Sequence, residues 1–289
     1  MNNKNLQYLT DNLPSYSIDD KSIGVVTGSD TNTFEGLQVL FYSLKGKISF
    51  LCYDLGLTDK ELDWCRKENI SIKQCPTIFT KNKPKHWQTY TKPWLVQDSP
   101  FEYTIWFDTD CIVVGDLTKA DLINNKQTFF TKHWIHPDIV VKNGKPIYKT
   151  FPVAEKSTYY INAGVFGINK HTHGSILRDW IKILSGCLQD EGLIKHLASG
   201  DEGGLHWSLQ NNGDLSLIVD DYRYNMCSAV HRSHINKHTI QPFFVSGISF
   251  NSIKFFETCC KQKEAFVLHF STCLEHKQKY WKTWPCEVF

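Results

Sequence analysis

No apolar run in this chain approaches the roughly 20 residues needed to cross a bilayer. Residues 1–16 are polar and lack the apolar core of a signal peptide. A membrane-spanning protein and a secreted one are therefore set aside. The expectation is a cytoplasmic protein with no transmembrane segment, for which peripheral association is the one route to a membrane-borne substrate. The ten cysteines, at 52, 65, 75, 111, 187, 227, 259, 260, 273 and 286, form no Cys-x-x-Cys pair, which argues against a zinc ribbon. Without a secretory signal they are expected to be reduced and largely buried thiols. Net charge is almost absent too. The balance of 32 basic and 30 acidic residues leaves +2, too little to favour nucleic acid as a partner. Internal repeats, low-complexity tracts and composition breaks are also lacking, so a single domain over residues 1–289 is expected.

What is present suits a soluble α/β fold. The 289 residues, 41% hydrophobic and 21% charged, suffice for a full core. Aromatic residues reach 13%, with nine tryptophans; sugar-stacking platforms use such rings, but core packing accounts for most of them. A β-branched strand over 22–28 ends in glycine. Asn32 and Glu35 have capping-box spacing ahead of Leu37, Leu40, Phe41 and Leu44 at helical intervals. A second strand is expected over 48–53, a Thr58/Glu61 capping box with its helix, and a third strand over 70–75. A helix near 92–97 tolerates Pro93 in its first turn, and a fourth strand covers 103–109. Strands alternating with helices imply a largely parallel sheet with right-handed crossovers. Further on, 128–132, 160–168, 215–219 and 265–270 read as strands. Residues 175–188 form an amphipathic helix with Ile176, Trp180, Ile183, Leu184 and Cys187 on one face. Residues 142–156, with Gly144, Pro146 and Pro152, read as an excursion.

The fourth strand runs into Asp108-Thr109-Asp110. In an extended chain alternate side chains share a side, so the two carboxylates are expected to converge while Thr109 points away. Aligned carboxylates at the end of a buried strand repel each other and lose hydration unless a cation lies between them. Hard oxygen ligands favour Mg²⁺ or Mn²⁺ over zinc or copper. The pattern points to a phosphate-bearing substrate handled through a divalent metal. The plainer alternative has Asp108 capping a turn and Asp110 in solvent. Gly28-Ser29-Asp30, after the first strand, would share the carboxyl edge of the sheet, where ligands bind in such folds.

Residues 106–117, Trp-Phe-Asp-Thr-Asp-Cys-Ile-Val-Val-Gly-Asp-Leu, resemble the metal-binding motif of nucleotide-sugar glycosyltransferases with the GT-A fold, particularly the glycogenin-like family eight. Other stretches resemble that family in the same order. These are Tyr53-Asp54-Leu55-Gly56-Leu57-Thr58, Thr91-Lys92-Pro93-Trp94, Tyr160-Ile161-Asn162-Ala163-Gly164-Val165, Asp201-Glu202, Tyr224-Asn225, and Leu268-His269-Phe270 followed by Lys279-Tyr280-Trp281. Together they span about residues 22–282. The chain departs from the pattern in three places. Glu202 stands where the family usually has glutamine, which is expected to make the site more anionic. Extra residues separate His269 from Lys279, so that Lys277 competes with Lys279, and tyrosine replaces a proline after that lysine.

The resemblance implies a Rossmann-like, three-layer GT-A fold with a mostly parallel central sheet. Residues 22–125 would form the nucleotide-sugar half. Residues 126–289 would form the acceptor-facing half and the closing metal and pyrophosphate element. It implies Mn²⁺ or Mg²⁺ held by Asp108, Asp110 and His269, a UDP-sugar donor, a glycan or other hydroxyl acceptor, and retention of configuration. The donor site would take in Thr27, Gly28, Ser29, Asp30, Lys92, Asp108, Thr109 and Lys279. Asp201, Glu202 and Asn162 would serve catalysis, the carboxylates steadying a cation-like sugar or, in an inverting enzyme, acting as base. Plainer readings stand beside these: His269 as a structural histidine, Asn162 as a turn residue, one of Asp201 and Glu202 as a helix cap, and the lysine-rich tail as a solvated end. Two rivals remain at this stage, a haloacid-dehalogenase-type phosphatase using Asp108 and Asp110, and a glycosyltransferase-like binding protein without turnover.

Overall fold

The computed structural model describes residues 15–76, 87–113, 115–132, 141–142, 145–146, 161–189, 201–219, 224, 226–227 and 267–269. The N-terminal half alternates strand and helix. Strand β1 (Ile23–Ser29) is followed by helix α1 (Phe34–Leu44), β2 (Ser49–Asp54), α2 (Asp59–Lys67) and β3 (Ser71–Gln74). Two short helices, α3 (Trp87–Tyr90) and α4 (Lys92–Asp98), precede β4 (Tyr103–Phe107). The chain continues through β5 (Cys111–Val113), α5 (Asp121–Asn124), β6 (Phe129–Lys132) and a two-stranded pairing of β7 (Val141–Lys142) with β8 (Lys145–Pro146). Then come β9 (Ile161–Asn169), α6 (Lys170–Gln189), α7 (Asp201–Asn211), β10 (Ile218–Val219), β11 (Met226–Cys227) and β12 (Val267–His269).

A seven-stranded sheet runs in the order β10-β6-β9-β4-β1-β2-β3. Its described pairings are parallel except those of β9, which is antiparallel to both β4 and β6. The sheet is thus mostly parallel, as expected, with one reversed strand that hydropathy does not reveal. Alternate residues of the central strands enter different cores. Val26, Trp106 and Phe166 join Leu95 and Val96 of α4, Trp180 and Leu184 of α6, and Leu205 and Leu209 of α7. Val25, Ile105, Phe107 and Val165 face the opposite way with Leu40 and Leu44 of α1. Near-continuous apolar strands buried on both faces need helices on both sides, and this gives the three layers.

Two local expectations change. The helix expected from Asn32 and Glu35 starts at Phe34 behind Thr33. Thr33 makes no side-chain cap bond, and Asp30 Oδ1 accepts from Thr33 N, the amide just before the first helical residue, at 3.1 Å. The Thr58/Glu61 box does form, with Thr58 N donating to Glu61 Oε2 at 2.7 Å. Strand β4 ends at Phe107, two residues short of the expected end. Asp108, Thr109 and Asp110 therefore occupy a turn, closed by Cys111 N donating to Asp108 O at 3.0 Å. Strict alternation cannot be what orients the two carboxylates.

Candidate active site

The turn after β4 lies at the carboxyl edge of the sheet. Asp108 N donates to Gly164 O of β9 at 2.8 Å, which ties the turn to the reversed strand. The Asp108 side chain is 27% exposed, whereas Thr109 and Asp110 are buried. A smaller sheet, β11-β12-β5, approaches from the other side. Its register sets the His269 backbone opposite Cys111, the residue after Asp110. Cys111 and His269 are 158 positions apart in sequence yet pair beside the same turn.

Lys92 stands at the centre. It opens α4, where Pro93 fixes the first turn without losing a needed amide bond. A glycine on β1 lets this helix dock. A Cβ at Gly28 would lie 2.8 Å from Leu55 Cδ1 and 3.2 Å from Leu95 Cδ1. Buried Lys92 Nζ lies 3.0 and 3.1 Å from the two oxygens of Asp108, 2.9 Å from Asp201 Oδ2, and 3.2 Å from Ala163 O. Burial alone would lower its pKa, but the adjacent Asp108 and Asp201 outweigh burial and raise it. Lys92 is thus a permanent internal cation, with its donors turned onto protein acceptors.

Asp201 and Glu202 begin α7, where the helix dipole favours negative charge. The helix is seated firmly on α6: Trp180 Nε1 donates to Asp201 O at 3.0 Å and Ser208 Oγ to Ile176 O at 2.8 Å. Burial pushes the Asp201 carboxyl up to about 6 against the pull of Lys92. Burial, reinforced by the charge of Asp201, pushes Glu202 up to about 8. Burial thus works against the extra negative charge that glutamate, in place of glutamine, is expected to bring to this site.

Asn162 joins these groups from β9. Its Nδ2 donates to Glu202 Oε1 at 3.3 Å, Ala163 N donates to the same oxygen at 3.4 Å, and Gly164 N donates to Asn162 Oδ1 at 2.9 Å. Here the pairing of β9 with β6 slips, from Phe130 opposite Phe166 to Thr131 opposite Asn162. The slip releases residues 163–165 from the β6 ladder, and Ala163 and Gly164 turn their backbone groups to the site instead.

The structure therefore brings together Lys92, Asp108, Asn162, Asp201 and Glu202, with Asp110 beside them in the turn. At the β1 end, Thr27 and Ser29 are buried. Asp30 accepts from Gln88 Nε2 at 3.0 Å and from Asn32 Nδ2 at 3.3 Å. Gly28 and Asp108 each lie two residues beyond the last β1–β4 pair, Val26 with Trp106. Lys277 and Lys279 lie outside the described residues. Tyr224 packs on Phe129 with ring centroids 5.2 Å apart, and its hydroxyl accepts from Leu122 N at 3.3 Å. One group escaped the sequence reading. Trp106 Nε1 donates to Asp108 Oδ1 at 2.7 Å, and the signal available was its place two residues before Asp108 on the same strand.

Among the described residues no three His, Cys, Asp or Glu side chains form a metal cluster. The chemistry of the donors nonetheless fits a hard divalent cation: two carboxylates in one turn, with a histidine-bearing strand in register beside it. No described helix is long and apolar enough to cross a membrane.

Among solved structures, the chain resembles an active-site mutant of LgtC in which glutamine is replaced by glutamate. The TM-score is 0.51 at 16% identity, covering 89% of this chain and 94% of that one. It also resembles the glycosyltransferase GlyE of Streptococcus pneumoniae TIGR4, with a TM-score of 0.50 at 14% identity and 91% of this chain covered. This chain has the GT-A fold. It spans only 62% of GlyE. Neither a protein-family model nor a curated protein matches the sequence. A haloacid-dehalogenase-type reading needs its aspartates after the first strand, whereas here they follow β4 in a GT-A sheet.

Proposed function

We propose that this chain is a metal-dependent, retaining glycosyltransferase, which moves a sugar from a UDP-sugar to a hydroxyl of a glycan acceptor in the cytoplasm. The observation that carries the reading is the convergence of Asp108, Asp201, Glu202 and Asn162 around buried Lys92, at the carboxyl edge of a GT-A sheet. Asp108, Asp110 and His269 would hold Mn²⁺ or Mg²⁺. Bound there, the ion would neutralise charge on the departing nucleoside diphosphate.

The remaining work falls to side chains. Lys92 holds Asp108 and Asp201 in fixed places. Asp201, ionised above about pH 6, presents negative charge where the sugar becomes cation-like. Asn162 offers both halves of its amide to sugar hydroxyls. Glu202, neutral below about pH 8, supplies an O–H donor beside Asn162. Both carboxylates of α7 are turned onto protein partners, which supports charge stabilisation over removal of an acceptor proton. In a retaining transfer the departing phosphate oxygen can take that proton on the same face.

The test is a panel of UDP- and GDP-sugars assayed for nucleotide release with and without Mn²⁺. Mn²⁺-dependent release from a UDP-sugar is expected. Binding of UDP without turnover of any donor would overturn the reading, as would hydrolysis of p-nitrophenyl phosphate without sugar transfer.

A further inference from the structure

We propose that Trp106 is a positioning residue for Asp108, its indole N–H fixing the carboxylate in the orientation that receives a divalent cation. The inference rests on the proposed function, in which Asp108 is a metal ligand.

The geometry begins at the end of β4. Trp106 is the penultimate residue of β4 and Asp108 opens the turn that follows, so the indole has one residue to span to reach the carboxylate. Nε1 donates to Asp108 Oδ1 at 2.7 Å, at the short limit for N–H···O and typical of a charge-assisted bond. The indole is 3% exposed, and its register partners are Val26 on β1 and Phe166 on β9. Its ring stacks on Phe166 at 6.4 Å with 15° between the planes, and Phe166 is wedged against Phe130 and Trp180. A ring held in this way has one polar atom, and that atom points at Asp108.

Asp108 has a second holder, Lys92, but the two differ in what a cation does to them. Lys92 is charged and shared with Asp201 and Ala163. A divalent ion arriving at Asp108 repels the ammonium, so the Lys92 contact weakens as the ion binds. The indole N–H is neutral and suffers no such competition. It is the holder that persists in both states, and hydrogen bonds to a ligating carboxylate set its orientation and the affinity of the metal. Phenylalanine would fill most of the same space but has no donor. The requirement for tryptophan at this position is therefore the N–H.

The experiment compares the unmodified chain with Trp106→Phe and with β-(3-benzothienyl)alanine at 106, an isostere with sulfur in place of N–H. Mn²⁺ binding is measured by calorimetry and by the electron paramagnetic resonance of free Mn²⁺, and melting temperature is followed in parallel. Both variants are expected to bind Mn²⁺ about 10- to 100-fold more weakly. In transfer assays the loss should lie mainly in the Mn²⁺ concentration for half-maximal rate and be largely recovered at saturating Mn²⁺. The benzothienyl variant should melt close to the unmodified chain. Unchanged Mn²⁺ affinity in both variants would overturn the inference, as would weakening in Trp106→Phe alone, which would reduce the residue to packing. No Mn²⁺ binding by the unmodified chain would instead remove the proposed function, and the role of Trp106 with it.

Discussion

Two acidic pairs face each other across Lys92, and they are held in different ways. Asp108 and Asp110 sit in a backbone turn after β4, with Asp108 compensated by an ammonium and an indole N–H. Asp201 and Glu202 open a helix, where burial pushes their carboxyls up to about 6 and about 8. Asp201 leans on the same ammonium, whereas Glu202 takes only amide donors. Neighbouring carboxyls whose environments separate their pKa values divide into an ionised and a protonated partner near neutral pH. In the proposed function the first pair would meet a cation, and burial of the second would favour one charge and one proton.

Breaking the first pair should have the largest effect. Asp108→Asn is expected to lower metal-dependent transfer by about 100-fold or more, measured as nucleotide release at fixed Mn²⁺, with residual activity gained by raising Mn²⁺. Removing the shared cation comes next. Lys92→Ala leaves two carboxylates without their buried partner, a loss on the order of 3–5 kcal/mol, measurable by urea denaturation.

The second pair is tested by pH. Native Glu202 holds its proton to about pH 8, whereas the unfolded side chain releases it near 4.5. Across that window the native state binds more protons than the unfolded state. Metal-free stability therefore falls as pH rises, then levels above about 8. Glu202→Gln should remove this part of the fall: equal to the unmodified chain at pH 4, and more stable than it at pH 9. An unchanged pH profile would mean that Glu202 ionises normally. The smallest effect is expected at a helix cap. Glu61→Ala removes the capping box of α2 and the bond that Thr31 Oγ1 donates to Glu61 Oε2 at 3.0 Å, which costs about 1 kcal/mol of stability, and should change the transfer rate far less than the substitutions above.

Much of this arrangement can be read from local pattern. The apolar run into Asp108 announces a buried strand, and Thr58 with Glu61 announces a helix start, because both depend on residues a few positions apart. The reversal of β9 could not be read: Ile161 to Ile168 are buried on both faces, and such a run carries no signal of direction. Nor does local pattern show that the β9 slip frees Ala163 for Lys92, 71 positions earlier. The upward push on the Glu202 carboxyl is hidden for the same reason. Its charge state depends on burial against α6 and β9 rather than on its neighbours in sequence. Trp106 lay in plain view two residues before Asp108 but read as core, and core it is, apart from one nitrogen.

The most direct test of the central claim is a Mn²⁺ titration of UDP release from a UDP-sugar, run on the unmodified chain and on Asp110→Ala. The account predicts saturable Mn²⁺ dependence, abolished by chelation with EDTA and absent in the variant. Full activity of Asp110→Ala, or release that ignores EDTA, would contradict it.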